Sequence, residues 1–266
     1  WRWTESHCHP LKIKSVAARL RSRFLKAFRR LALQPEVLPA KSDYQPTQIS
    51  KMPHPNIYIQ MLPEYRGWIF LEEEACSLKG RWAGVFGDPQ LPVDLEIGCG
   101  NGFFFEHQIQ KQPERNLLGI EIKYKPLVQT VRRAKKRGLQ NARGIRDNAR
   151  FVDQIFAPEE IHNIFIYHPD PWPKKRQQKN RLFRREFLET LFKIQKAGGF
   201  VDIKTDDLDY FNFMEEEAKN CSYKMIRFSR DLHHSEWESE NFKTAFEKIF
   251  LSKGQPIYYM RLLKAE

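Results

Sequence analysis

The stretch DLEIGCGNGFF, residues 94–104, constrains the fold of this chain more than any other. A short strand-like run carrying two acids ends in Gly98, Gly100 and Gly102, and a helical pattern starts at about residue 101. A buried strand that passes through a glycine-rich turn straight into a helix is the first unit of a parallel α/β sheet. The sequence that follows repeats the alternation. LLGIE (117–121) reads as a second strand, and KPLVQTVRRAKKRG (125–138) as a helix ended by Gly138. A weaker strand lies near 142–146, NIFIY (163–167) is a fourth, and a helix covers about 181–196. Gly198 and Gly199 turn the chain into FVDIKT (200–205). DLDYFNFMEEEAKN (207–220) is helical, and KMIRFS (224–229) and PIYYMRLL (256–263) are late strands. Strands alternating with helices require right-handed crossovers, so the expected fold is α/β, a mostly parallel sheet with helices on both faces.

This domain is expected over residues 56–266, with a short helical segment around 65–82 leading into the sheet. Ahead of it, Pro35, Pro39, Pro46, Pro53 and Pro55 break residues 35–55 into a linker. Residues 11–34 place Ile13, Val16, Ala17, Leu20, Phe24, Phe28 and Leu31 at helical spacing, with basic residues on the other face. An RNA-binding arm, a membrane-surface helix, a transit peptide and an unordered extension all fit that pattern. The chain does not begin with Met, which fits a trimmed chain or a start placed upstream of the true one.

Charge narrows the partners. Residues 1–34 hold nine basic residues against one acidic, a net +8 of the chain's +12. Lys174 to Arg185 has seven basic residues and no acid. The rest of the domain is slightly acidic, so that tract is a local feature, and it suits a polyanion such as nucleic acid. Cys8, Cys76, Cys99 and Cys221 form no Cys-x-x-Cys pair, and the His7-Cys8-His9 cluster lacks a second ligand pair, so no metal is expected. Scattered cysteines fit a reducing, cytoplasmic setting. No apolar run approaches the roughly 18 residues of a membrane span.

The glycine loop becomes informative through its acids. Glu96 lies two residues before Gly98, inside the strand end, and Glu121 closes the next strand, where a carboxylate can accept both ribose hydroxyls. A dinucleotide would bring a pyrophosphate to the helix N-terminus, and Glu96 would repel it. S-adenosylmethionine has no phosphate; it carries an amino group and a sulfonium, and a carboxylate at Glu96 suits both. On this argument S-adenosylmethionine is favoured over NAD, with a ligand-free structural turn as the third reading. RDNA (146–149) falls where the adenine would lie, with Asp147 able to take the exocyclic amine and Asn148 as its neighbour.

A second unusual stretch is IFIYHPDPWPKKRQQKNR, residues 164–181. An apolar strand runs into an acid between two prolines, then a tryptophan, then the basic tract. A core strand needs no Asp170 at its end, and a basic surface needs no rigid Pro-Asp-Pro-Trp before it. The combination points to a reaction centre beside a polyanion. Trp172 can stack a base or serve as a structural side chain. RRAKKR (132–137) extends the basic surface or is a solvated helix face.

Together these motifs resemble the tRNA (guanine-N7-)-methyltransferases of bacterial type. EIGCGNG, GIEIKYK, PDPWPKKRQQKNR, TDDLDYF and TAFEKIFLSKGQPIYYM carry the resemblance, which covers roughly residues 56–266. It implies a Rossmann-like methyltransferase fold, S-adenosylmethionine as methyl donor, and a guanine in the variable loop of tRNA as acceptor, with no obligate protein partner. By the same resemblance, Glu96, Glu121, Asp147 and Asn148 fall on cofactor positions, alongside the loop glycines Gly98 and Gly100. Asp170 falls on an acid associated with both cofactor and catalysis. Lys174, Asp206, Thr244 and Glu247 fall on substrate positions. Two departures stand out: His168 directly before Pro169, where many relatives carry an aromatic residue, and the basic arm at 1–34. Guanine N7 attacks without prior deprotonation, so His168 is read as structural or substrate-contacting rather than as a base.

Rival readings remain. An amino-directed methyltransferase would also suit an acidic-proline-aromatic motif, but does not require the downstream TAFE and Asp206. A cytosine-C5 enzyme needs a Pro-Cys nucleophile pair that this chain lacks. A non-enzymatic RNA-binding module would bind no S-adenosylmethionine.

Overall fold

The computed structural model describes residues 56–265, which fall within a unit spanning Pro55–Glu266. The basic helical pattern at 11–34, the His7-Cys8-His9 cluster and the proline-rich linker lie outside the described residues.

Eight strands form one sheet in the order β1-β4-β3-β2-β5-β6-β8-β7. They are β1 (Ile69–Leu71), β2 (Val93–Ile97), β3 (Asn116–Ile120), β4 (Ala142–Arg146), β5 (Ile164–Tyr167), β6 (Phe200–Thr205), β7 (Lys224–Ser229) and β8 (Tyr258–Leu263). The first six pair in parallel, and β8 runs antiparallel between β6 and β7. Every residue of β2 and β3 is buried, as expected for central parallel strands covered on both faces.

The helices are α1 (Ile57–Gln60), α2 (Glu72–Ser77), α3 (Phe103–Lys111), α4 (Tyr124–Lys136), α5 (Val152–Ile155), α6 (Arg185–Ile194), α7 (Leu208–Lys219) and α8 (Ala245–Leu251). Leu95, Ile97, Ile164, Ile166, Val201 and Ile203 pack with α6 and α7 residues such as Leu188, Leu191 and Tyr210. Leu117, Ala142 and Phe165 pack instead with Phe105, Leu127 and Val131 of α3 and α4. The two layers leave β2 with two acids, Asp94 and Glu96, buried at opposite ends of one strand. Asp94 is neutralised by Arg115, whose Nε and Nη2 both lie 2.6 Å from its carboxylate. Glu96, at the carboxyl end, has no such partner.

The strands from β2 to β8 fall where the alternation places them. One element differs from expectation. Within the helical span expected at 65–82, Ile69, Phe70 and Leu71 form β1, pairing Ile69 with Gly144 on the sheet edge. Their β-branched and aromatic side chains favour a strand, and three residues are too few to show a period. The TAFE segment opens a helix: Thr244 caps α8, its Oγ1 accepting the Glu247 N–H at 3.1 Å.

Candidate active site

Parallel strands end on one edge, so the carboxyl ends of β2 to β6 bring their following residues to a common rim. This is where open α/β sheets bind ligands. Gly98 and Gly100 follow β2, Glu121 follows β3, Asp147 follows β4, the Pro-Asp-Pro-Trp segment follows β5 and Asp206 follows β6.

The glycine loop is built from left-handed turns. Gly98, Gly100 and Gly102 have φ of 77°, 52° and 77°, a conformation that costs other residues about 1 kcal/mol or more. Gly102 also lets α3 and α4 touch, since a Cβ there would sit 2.5 Å from Thr130 Oγ1. Thr130 returns the contact by donating to the Gly100 carbonyl at 2.8 Å. Glu121 closes the loop from the next strand, accepting the Gly100 N–H at 3.3 Å and the Lys123 N–H at 2.9 Å.

Glu96 lies beneath this loop. It is 4% exposed, and its Oε2 is buried without a hydrogen-bond partner. Burial pushes its pKa up to about 8; Lys204 pulls it back and Glu121 adds to the rise. A buried carboxylate left unsatisfied beside open glycine backbone is a receptor for a cationic or donor group. The donor set therefore fits the amino and sulfonium charges of S-adenosylmethionine.

Asp147 and Asn148 divide their work. Asp147 Oδ1 accepts the Asn148 N–H at 2.6 Å, leaving the other carboxylate oxygen to a ligand. Asn148 spends its side-chain oxygen on the Arg150 N–H at 3.1 Å, capping the turn Ala149–Phe151.

At β5 the strand stops at Tyr167, three residues before Asp170, whereas the sequence reading has Asp170 closing the strand. His168 (φ 53°) and Trp172 (φ 46°) both take left-handed backbone on either side of the Pro-Asp-Pro turn. That strain places an exposed Asp170 on the rim. Arg181 holds the turn from below. Only 4% exposed, it donates from Nε to the Pro171 carbonyl at 2.9 Å and stacks over the rings of Tyr210 and Phe213.

The basic tract thus divides in two. Lys174, Lys175, Arg176, Lys179 and Arg185 are exposed. Arg181 and Arg184 turn inward, Arg184 donating to the Gln178 carbonyl at 2.9 Å, and the expectation that they grip phosphates is corrected. RRAKKR stays at the surface. Arg133 and Arg137 both pair with Glu106, and Lys135 donates to the Glu64 carbonyl, yet Arg132, Lys135, Lys136 and Arg137 are all exposed, as on a solvated helix face.

Thr244 and Glu247, two of the positions expected to face the substrate, gather with His168 around Lys204, a residue with little local sequence signal. Lys204 of β6 is 1% exposed and donates to Glu247 Oε1 at 2.6 Å, Asn241 Oδ1 at 2.9 Å and the Phe242 carbonyl at 3.0 Å. Its ammonium also lies 3.9 Å from the centroid of the Tyr167 ring. Glu247 is fully buried, and Asn241 donates to its second oxygen at 2.9 Å. Burial opposes its charge, yet bonds from His168, Lys204 and Asn241 hold its pKa down to about 2. Glu247 is thus locked inside the fold, and Thr244 is buried beside it, whereas Asp206 is half-buried. Phe246, 60% exposed next to Thr244, offers a bare aromatic face. The signal for Lys204 was faint: a lysine within a strand whose neighbours are all buried, with its partner 43 residues away.

Behind Lys204 a cavity of about 160 Å³ is lined by Tyr167, Asp202, Phe242 and Arg261. It holds the Asp202–Arg261 ion pair, at 2.6 Å, and none of the cofactor-side acids line it. Among the described residues, no group of three or more His, Cys, Asp or Glu could hold a metal, and no helix is long and apolar enough to cross a membrane.

The strand order, the glycine turn and the ring of carboxyl-edge acids define a Rossmann-like methyltransferase. A family model described as "Putative methyltransferase" matches residues 90–260. The chain is 44% identical over 203 residues to a tRNA (guanine-N(7)-)-methyltransferase of Bdellovibrio bacteriovorus, covering 76% of this chain and 97% of that protein. It is 34% identical to the enzyme of that name from Limosilactobacillus reuteri, over 70% of this chain and 87% of the relative. It is also 32% identical to 33% of a bifunctional glycosyltransferase/methyltransferase of Fusobacterium nucleatum, over 79% of its own length. The chain belongs to the tRNA (guanine-N(7)-)-methyltransferase family.

Proposed function

We propose that this protein transfers a methyl group from S-adenosylmethionine to N7 of a guanine in the variable loop of tRNA. The observation that carries the reading is the partnerless buried oxygen of Glu96, which shares one rim with an exposed Asp170 and a tract of free cations. Glu96 and Glu121 would hold the cofactor's amino acid and ribose ends, the backbone of Gly98 and Gly100 would lie against it, and Asp147 with Asn148 would flank its adenine. When bound, S-adenosylmethionine supplies an electrophilic methyl group on a sulfonium.

The remaining work is done by this chain. Guanine N7 has a free in-plane lone pair, so no general base is needed, and rate comes mainly from holding the reactants in line. Asp170 accepts the donors on the Watson–Crick edge of the guanine and stabilises the positive charge that the purine gains. Lys174 and its exposed neighbours grip the phosphate backbone without reading sequence. Asp206 and Thr244 contact the nucleotide, Phe246 gives a base an aromatic face to stack on, and Glu247 serves them from within. The test is mass spectrometry of nucleosides from unmodified tRNA incubated with the protein and S-adenosylmethionine. N7-methylguanosine is expected; another methylated nucleoside, or none, rejects the assignment.

A further inference from the structure

His168 bends the chain at the end of β5 at a cost. Its left-handed backbone is disfavoured for a side chain of this size, on the order of 1 kcal/mol. The ring is nevertheless fixed from several sides, with 6% of the side chain exposed. Nδ1 lies 3.0 Å from Asp206 Oδ1. Nε2 lies 3.3 Å from Thr244 Oγ1 and 3.7 Å from Glu247 Oε1. The rings of Phe246 and Phe250 flank it at centroid distances of 5.9 and 6.3 Å. One imidazole therefore joins the β5 turn, the end of β6 and the N-terminus of α8.

The Thr244 hydroxyl makes this junction two-state. Its oxygen already accepts the Glu247 N–H, so its single proton is free to turn. With His168 neutral and its proton shared with Asp206, Nε2 is an acceptor, and the Thr244 hydroxyl must donate to it. With His168 charged, Nε2–H donates to Thr244 and its charge faces Glu247, and the hydroxyl proton is freed from the imidazole.

We infer that His168 is a positioning residue for methyl transfer: charged, it ties Asp206 to the Thr244–Glu247 turn and presents the Thr244 hydroxyl as a donor to the bound nucleic acid; neutral, it withdraws that donor. The inference rests on the reading of Asp206 and Thr244 as tRNA contacts.

The charges facing His168 are Asp206, Glu247 and Lys204. His233 lies beyond Glu247 at 3.4 Å, and Asp170 sits on the same turn. Burial disfavours the imidazolium and Lys204 adds to this, but the bonds to Asp206 and Glu247 outweigh both, and the His168 pKa lies above the usual 6.5. The donor is thus presented below that raised pKa and withdrawn as pH climbs through it.

The experiment is steady-state methylation of tRNA by the full chain at saturating S-adenosylmethionine, from about pH 6 to about pH 9. For the wild type, KM for tRNA should rise roughly three- to tenfold with pH, the scale of one hydrogen bond. His168→Asn tolerates the left-handed backbone but does not titrate. Its KM should be raised at the acid end and lose that rise, with kcat moving less than KM. A wild-type KM that ignores pH, or a rise that persists in His168→Asn, overturns the inference while leaving the enzyme's activity in place. A wild type that does not methylate tRNA overturns the functional reading and the inference together. If the variant does not fold, a wild-type KM that does not rise with pH still overturns the inference.

Discussion

Glu96 and Glu247 are both buried carboxylates that feel Lys204, yet they sit in opposite states. Glu247 receives Lys204 at 2.6 Å and Asn241 at 2.9 Å, and its pKa is held at about 2. Glu96 keeps an oxygen without a partner, and its pKa is pushed to about 8. The difference is one of supply. Around Glu247 the fold provides every donor that the carboxylate needs, so the group acts as scaffold. Around Glu96 the fold withholds one, and the missing donor is what a cationic ligand brings. Glu247 is satisfied and reads as scaffold; Glu96, on the strand that leads into the glycine loop, is the candidate ligand-binding acid.

The comparison breaks most visibly at Glu247. Removing one member of a buried pair strands the other, at a cost of about 3–5 kcal/mol. Glu247→Ala should therefore lower stability by that amount in denaturant unfolding. A variant within about 1 kcal/mol of wild type would show that the Lys204 pair is dispensable.

Asp170→Asn should come next. It keeps the size of the side chain but removes the charge that the methylated purine needs. Single-turnover transfer at saturating cofactor should fall on the order of 100- to 1000-fold, with thermal unfolding unchanged because Asp170 is exposed. Transfer within a few-fold of wild type would reduce the Pro-Asp-Pro-Trp segment to a structural turn.

Glu96→Gln should have the opposite sign to Glu247→Ala. With a folded pKa near 8 against the usual 4.5, the folded state binds the extra proton, so stability declines as pH rises from 4.5 to 8. The variant should lose that decline and gain about 3 kcal/mol at neutral pH without ligand, while binding S-adenosylmethionine more weakly. Unfolding curves across this window, with calorimetry of binding, check both halves. A destabilised variant with full cofactor affinity would erase the contrast with Glu247.

The smallest effect belongs to the exposed tract. Neutralising Lys175, Arg176 and Lys179 together should reduce the salt slope of tRNA binding by about 2 units and leave cofactor affinity alone. An unchanged slope would make the tract a solvated surface.

What the sequence shows and what it hides follows the same division. The strands β2 to β6 are legible because parallel central strands are mostly apolar runs punctuated by glycine and helix, and the antiparallel β7 and β8 because short β-branched and aromatic runs follow α7 and α8. The surroundings of the glycine loop are legible because Glu96, Gly98, Gly100 and Glu121 cluster around one loop, and Glu121 accepts the Gly100 N–H there. The scaffold side is not, because Lys204, Asn241, Glu247 and His168 meet only after the sheet has folded. Arg181 and Arg184 read as surface charge for the same reason: nothing local shows that Pro171 and Phe213 will receive them. β1 is three residues long and leaves no periodic trace.

Methylation at N7 itself is tested by one substitution in the substrate. A tRNA transcript should acquire N7-methylguanosine from S-adenosylmethionine in the presence of the wild-type chain. The same transcript with 7-deazaguanine throughout, which replaces the N7 nitrogen by carbon, should acquire no methyl group. Methyl transfer that survives this replacement, or a methyl group found on any other atom of the unsubstituted tRNA, would contradict the account.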